Sequence, residues 1–322
     1  MYNFVFFSTP SDFYDASYKD IMHLQNVRYI RNILEPKNVF LKKCFKIHFY
    51  FQYRRKIYNP FKRIWNRFLF DNDFSDNKPI CFIFNERMLY LDNYGFIDYL
   101  KEEYPNAKFV CYLQDLVDTI RNVNIKTIIN KFDLTISYDK GDAEKYKIYY
   151  YPTPYSYFPV NFKNKVKLSD VYFVGRAKNR LKDIISVYEK LKEKGFVCDF
   201  HILGVETKDQ LYADDIHYNT LISYEENLEH VLKTKCLLEI MQQGASGYTF
   251  RTWEAIMYDK YLLTNNISIE QAPFYKSQYM QIYKDVSALD LSFMNVGAQK
   301  IDFEYKEKLS PRFFLTFVEA KI

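Results

Sequence analysis

Between Gln242 and Asn266 the chain reads QQGASGYTFRTWEAIMYDKYLLTNN, and its chemistry is concentrated between Gly244 and Glu254. Gly244 and Gly247, with Ser246 between them, leave room for backbone N–H groups to approach a ligand. A helix starting near Thr249 would add its positive dipole end, which makes the stretch a candidate anion cradle. Arg251 falls in the first helical turn, where the dipole disfavours a structural cation, so an anionic partner accounts for it better. Glu254, three residues on, shares its face and suits the vicinal hydroxyls of a ribose. The competing reading is an ordinary Arg/Glu pair on an amphipathic helix whose Trp253, Ile256 and Met257 face the core.

A second cationic group follows another apolar run. YFVGRAKNRLKD ends a strand-like segment at Gly175 and places Arg176, Lys178 and Arg180 before a helix, as a bound diphosphate requires. Solvated charges in a strand-to-helix loop are the alternative. Glu239 lies inside the apolar run CLLEIM. A carboxylate there is costly unless paired or facing a ligand, so it reads either as a ligand-facing group or as an exposed strand end.

These groups need elements to hold them. Strand-like runs occur at residues 3–8, 80–84, 108–113 and 134–138, separated by helical patterns such as YGFIDYLKEEY and VDTIRNVNIKTIINKF. YYYPTPYSYFP then places Pro152, Pro154 and Pro159 where neither a regular helix nor a central strand can run. The alternation restarts at 170–175, 197–204, 216–223, 236–241 and 261–266, with RLKDIISVYEKLKEKG and YEENLEHVLKTK as helices. The fold expected is α/β, two Rossmann-like domains facing across a cleft. The domains expected are residues 1–155, containing a basic aromatic segment at 40–70, and residues 156–322, whose last helix packs back on the first domain. Both cationic groups then follow the C-terminal ends of strands in one parallel sheet, the ligand-binding edge of such sheets.

The net charge of +5 is unevenly placed. Residues 40–70 carry nine Lys or Arg and no acid, and taking those nine away leaves 36 basic against 40 acidic residues. Arg54, Arg55, Lys56, Lys62 and Arg63 alternate there with rings such as Trp65, a mix that suits anionic lipid headgroups. The same mix suits nucleic acid, but no nucleic-acid motif accompanies it, and a solvated basic helix face is the third reading. The five cysteines form no CxxC pattern and read as reduced core residues. The five histidines show no metal-ligand spacing, so no metal is expected. No run is long and apolar enough to span a bilayer, and the first residues lack a signal peptide's basic region. A cytoplasmic protein, peripheral on the inner membrane face, is expected.

FVGRAKNRL, ISYEENLEHVLKTKCLLEI, GASGYTFRTWEAI and KYLLTNN resemble the nucleotide-binding domain of GT-B-fold glycosyltransferases, particularly bacterial ones of capsule and lipopolysaccharide synthesis. PNAKFVCYLQD and FDLTISYDKGDAEKYKIYYYPTPY are also similar to that group, so the likeness spans residues from about 80 to 270. It implies a metal-independent hexosyl transfer from a nucleotide-sugar donor, UDP-linked by preference, to a saccharide or lipid-linked saccharide, with no cofactor. It implies that Arg176, Lys178 and Arg180 hold the diphosphate with help from Arg251, that Glu254 binds the ribose, and that Leu221 to Tyr224, including Ser223, border the base. Retaining members often carry two glutamates eight positions apart. Glu254 fits the second, but Ser246 stands at the first. Asp115, Glu86 and Asp12 each follow a strand of the first domain and are the candidates for the catalytic base, or else helix caps. Two alternatives stay open: a catalytically silent subunit docking a partner at the membrane, and a metal-dependent GT-A enzyme using Asp71 and Asp73 of FLFDNDF.

Overall fold

A computed structural model describes residues 1–8, 11–31, 35–55, 62–86, 88–89, 95–120, 124–160, 166–242, 247–289, 291–295 and 300–322. The first sheet contains β1 (Asn3–Phe7), β2 (Val27–Ile30), β3 (Ile80–Asn85), β4 (Lys108–Leu113), β5 (Leu134–Ser137) and β6 (Tyr149–Tyr150), in the order β2-β1-β3-β4-β5-β6. The second contains β7 (Ser169–Arg176), β8 (Cys198–Leu203), β9 (His217–Tyr218), β10 (Thr234–Glu239), β11 (Tyr261–Thr264) and β12 (Met280–Ile282), in the order β12-β11-β10-β7-β8-β9. Every pairing is parallel. The two Rossmann-like units expected from the alternation of elements are what the chain forms.

Helices α1 (Asp12–Tyr18), α2 (Val39–Arg55), α3 (Phe96–Glu103), α4 (Ile125–Lys131) and α5 (Lys140–Tyr146) accompany the first sheet. Helices α6 (Leu181–Glu193), α7 (Tyr224–Lys233) and α8 (Phe250–Met257) accompany the second. Parallel strands are covered on both faces, so their successive residues enter different cores. Val5 and Phe7 pack with Phe82, Phe84 and Phe96, whereas Phe4 and Phe6 pack with Ile83 and Tyr112 on the opposite side. Across the second sheet, Phe173 and Leu238 pack with Ile184, and Tyr172 and Leu237 pack with Trp253.

Sequence and structure differ in four local places. The helical pattern at 117–132 is a short 3-10 turn, Val117–Thr119, followed by α4, which begins where the Asn124 side chain accepts from the Lys126 N–H at 3.0 Å. α7 ends at Lys233, and Thr234 already belongs to β10. Only His217–Tyr218 of the run 216–223 is strand. β2, β6 and β12 are short strands with few partners, so no strong periodicity marks them.

Residues 151–160 have no regular secondary structure, yet they are not a loose tether. Tyr155 is fully buried, its hydroxyl is 2.5 Å from that of Tyr224, and its N–H donates to the Leu309 carbonyl at 2.8 Å. Ser156 donates to the Ser17 carbonyl at 3.0 Å. α9 (Pro311–Glu319) returns to the first sheet, where Phe314 and Val318 are fully buried beside Phe4 and Tyr112. Phe314→Ala should therefore cost about 3–5 kcal/mol of stability, measured by denaturant unfolding. A loss below about 1 kcal/mol would mean that α9 is only loosely docked.

Candidate functional site

The C-terminal ends of β7, β8 and β10 open into a cleft of ≈ 390 Å³. Its lining includes Gly175, Arg176, Arg180, Leu221, Ser223, Asn227, Glu239, Thr249 and Arg251. A larger hollow of ≈ 890 Å³ lies between α1 and β2. Both of its arginines are taken by its own acids, Arg31 with Asp15 at 2.7 Å and Arg28 with Asp73 at 2.8 Å, and Lys19 stands 3.7 Å over the Phe158 ring. The smaller cleft is the candidate site.

α8 starts at Thr249, whose side chain accepts from the Arg251 N–H at 3.1 Å and donates to Glu239. Thr252 and Thr264 also donate to the Glu239 carboxylate, at 2.8 and 2.6 Å. Glu239 is 1% exposed. The exposed-strand-end reading does not hold: Glu239 is buried in the cleft floor, where threonine hydroxyls join it to β11 and the start of α8.

Glu254 is fully buried. Its Oε1 accepts from Arg251 Nη2 at 2.8 Å, Tyr224 at 3.0 Å and Asn227 at 3.0 Å, and its Oε2 lies 2.6 Å from Arg251 Nη1. Burial raises its carboxyl, and Arg251 with the two neutral donors pulls the other way. The partners in this geometry, Arg251, Tyr224 and Asn227, all belong to the chain itself. Glu254 holds Arg251 at the cleft wall, with Arg251 also 5.9 Å over the Tyr172 ring.

The second cationic group is divided. Arg176 is exposed at the cleft, and its guanidinium has no hydrogen bond or ion pair to the described residues. Arg180 folds back, donating to the Ile240 carbonyl and, from Nη2 at 3.1 Å, to the Arg176 carbonyl. Lys178 is exposed, takes left-handed backbone with φ of 46°, and donates to Gln242 at 2.7 Å. Ser223 caps α7 by accepting from Glu226 N–H at 3.1 Å. Beside it Leu221 is 78% exposed, an apolar surface inside the cleft. Gly244 and Ser246 lie outside the described residues. At Gly247 the first sheet comes close: a Cβ there would stand 3.2 Å from Tyr138 and 3.3 Å from Asp139, both beyond β5.

In the first half, Glu86 follows β3 and is 4% exposed. It accepts from Gln114 N–H at 2.8 Å and Tyr14 at 3.1 Å. Burial raises its carboxyl above the usual range, with Asp115 adding to the effect and the Gln114 N–H opposing it. Asp115 is exposed after β4. Asp12 begins α1 and pairs with Arg31 at 3.2 Å, which is a structural role. Asp71 and Asp73 pair separately with Lys37 at 3.2 Å and Arg28 at 2.8 Å and do not converge.

The basic segment is less uncompensated than its sequence implied. Glu35, just outside it, pairs with Lys42 and Lys46, and Asp98 lies 3.8 Å from Arg63. Trp65 packs edge-on against buried Phe45 at 5.4 Å and donates to His48 at 2.6 Å, so it supports the core. Among the described side chains here, Val39, Phe40, Ile47 and Ile64 face solvent. Arg54 and Arg55 end α2 and Lys62 opens a 3-10 turn, whereas Lys56 lies outside the described residues. Among the described residues, no helix is long and apolar enough to cross a membrane.

Spacing along the chain did not reveal one further group: Asp199, His201 and His230 converge in space. The available signal was Asp-x-His on a strand, which puts both side chains on one face.

No protein family and no curated protein matches the sequence. Solved structures do share its architecture. A trehalose-phosphate synthase (UDP-forming) from Burkholderia vietnamiensis is 10% identical with a TM-score of 0.54, over 99% of each chain. The lipopolysaccharide outer core galactosyltransferase WaaB is 12% identical at 0.50, over 99% of this chain and 100% of its own. An α-glucosyltransferase in complex with UDP and DNA is 11% identical at 0.50, over 99% of this chain and 90% of its own. The fold is the GT-B fold.

Glu254→Ala should leave Arg251 buried without its counter-charge and cost about 3–5 kcal/mol, measured by denaturant unfolding. Glu254→Gln, which keeps hydrogen-bonding capacity, should cost less. Equal, negligible losses in both would show that the pair does not support the cleft.

Proposed function

We propose that this chain is a glycosyltransferase that takes a sugar from a nucleotide-sugar donor, UDP-linked by preference, and delivers it to a saccharide or lipid-linked saccharide of a surface polysaccharide. The observation that carries the reading is the unpaired Arg176 guanidinium in a cleft at the C-terminal strand ends of a GT-B second domain. That is where a parallel sheet receives a phosphorylated ligand. The neighbours named for UDP chemistry support the same class.

In this reading Arg176 meets the diphosphate, with Lys178 able to leave Gln242 and join it, while Arg180 and Arg251 shape the wall. Leu221 offers an apolar face to the base, and Ser223 adds a polar edge. These cations supply the positive charge that stabilises the departing nucleoside diphosphate, so transfer needs no metal. Glu86 is the preferred base among the three carboxylates, because its raised carboxyl makes it the stronger proton acceptor once ionised. Asp115 remains beside it as a positioning group.

The face of α2 bearing Val39, Phe40, Lys43 and Ile47 is the proposed contact with an anionic cytoplasmic membrane surface, where apolar insertion and charge act together.

UDP-sugars should raise the melting temperature of the chain by mass action, and Arg176→Ala should weaken donor binding about tenfold or more while leaving the unliganded melting temperature unchanged. Unchanged donor affinity would remove Arg176 from the site. Donor binding without turnover in any acceptor mixture would favour a silent subunit instead. Transfer should persist in EDTA.

Glu86→Gln should retain donor binding and lose transfer. In the native enzyme kcat/KM should rise with pH through a carboxyl above the ordinary glutamate value near 4.3, and that limb should vanish in the variant. A surviving limb would pass the role to Asp115. Phe40→Asp combined with Lys43→Glu should abolish sedimentation with anionic vesicles and leave donor binding intact. Equal binding of the native chain to neutral vesicles would contradict the charged contact.

A further inference from the structure

Three of the five histidines in the chain, His201, His217 and His230, meet around Asp199. Asp199 and His201 alternate with Phe200 along β8 and so leave the same face of the sheet. His230 comes from α7, which covers that face. Asp199 Oδ1 lies 2.9 Å from His201 Nε2, and its Oδ2 lies 2.6 Å from His230 Nδ1. One potential ligand atom from each residue falls within 4.8 Å of the other two. Both imidazoles are buried, at 6% and 9% exposure, whereas Asp199 is only half-buried and His217, stacked on His201 at 4.7 Å, is exposed. The group is thus closed beneath and reachable from solvent above.

A carboxylate needs neither of two buried imidazoles if its purpose is only to be solvated, since its own edge meets water. His201 Nδ1 is buried with no hydrogen-bond partner among the described residues, so only the Asp199 contact at Nε2 sets that ring's tautomer. Two neutral nitrogens and one carboxylate are the donor set of an open tetrahedral site. Ligand atoms about 2.0–2.2 Å from such an ion stand about 3.3 Å from one another. The two Asp–His contacts, at 2.9 and 2.6 Å, reach that spacing by opening by roughly half an ångström, while a separation near the 4.8 Å limit of the cluster closes toward it.

We propose that Asp199, His201 and His230 bind a divalent transition ion of the zinc type, with solvent water at the fourth position. The donor set suits zinc or cobalt and not magnesium, which takes oxygen ligands and more of them. On binding, each imidazole gives its lone pair to the ion from the nitrogen that now faces Asp199. Its proton moves to the opposite ring nitrogen, which for His201 is the unpartnered Nδ1. Both rings stay neutral and no redox step is involved.

The ion would clamp β8 to α7 one layer behind the donor cleft. The His230 ring stacks on Tyr172 at 5.1 Å, the Tyr172 hydroxyl donates to Asn227 at 3.0 Å, and Asn227 donates to Glu254. Its role is to hold the floor on which Arg251 stands, apart from the transfer chemistry. The site is argued from these side chains alone and stands whether or not the proposed transfer reaction does.

The full chain, stripped with EDTA, is titrated with Co²⁺ and followed by visible absorption. One equivalent should give the intense bands of tetrahedral cobalt, and Zn²⁺ should displace them. Asp199→Asn and His230→Gln should each abolish the bands, and exposed His23→Gln should keep them. Zn²⁺ should raise the melting temperature of the native chain and of His23→Gln only. X-ray absorption at the zinc edge of the native protein should count two imidazoles, which decides the matter even if a variant does not fold. No stoichiometric cobalt spectrum, bands unchanged in the folded Asp199 and His230 variants, or a zinc shell lacking two imidazoles would each overturn the site.

Discussion

The second half of the chain is organised by one buried carboxylate. Glu239 ends β10 in an apolar layer, where an ionised group without partners would be prohibitively unfavourable. It is tolerated because hydroxyls from Thr249, Thr252 and Thr264 converge on it. Those threonines belong to the cap and first turn of α8 and to the end of β11. Satisfying one charge therefore fixes the angle at which α8 leaves the sheet, and with it the wall of the cleft.

The wall is a chain of pairwise satisfactions rather than a set of independent ligands. Arg251 and Glu254 neutralise each other, Tyr224 and Asn227 complete the Glu254 shell, and Asn227 is held in turn by Tyr172. Tyr224 also meets Tyr155 of the connecting segment. Buried polar networks of this kind are stable only when complete, which ties the cleft to the junction between the two sheets. Arg176 differs from all of these because the described residues leave its charge without a partner, as a ligand-facing cation requires.

The first half repeats the logic with less polarity. Its two aromatic layers are closed by α9 on one face, so the end of the chain completes the core that its beginning starts. Glu86 is the exception, an acid at the C-terminal edge of β3 whose partners include the Gln114 N–H and the Tyr14 phenol. Gly247 lies against Tyr138 and Asp139, so the edges of the two sheets that carry the candidate site residues also touch.

The apolar runs and the helical periods between them determined the GT-B architecture, since a strand covered on both faces is written as a continuous apolar run and its neighbours as amphipathic helices. They also placed Arg176, Glu239, Arg251 and Glu254 at strand and helix ends. Which of these side chains is partnered within the chain and which is left exposed at the cleft was decided only by the tertiary structure. Arg251 and Glu254 read alike as ligand groups or as partners at i and i+3, and packing made them partners. Glu35 cancels charges of a segment to which it does not belong, and Trp65 turns inward because Phe45 is there to receive it. The Asp199 cluster likewise joins residues that are 31 positions apart on a strand and a helix. Periodicity records which face of an element is buried, but the partner of a charge is set by distances between elements, and those exist only once the chain has folded.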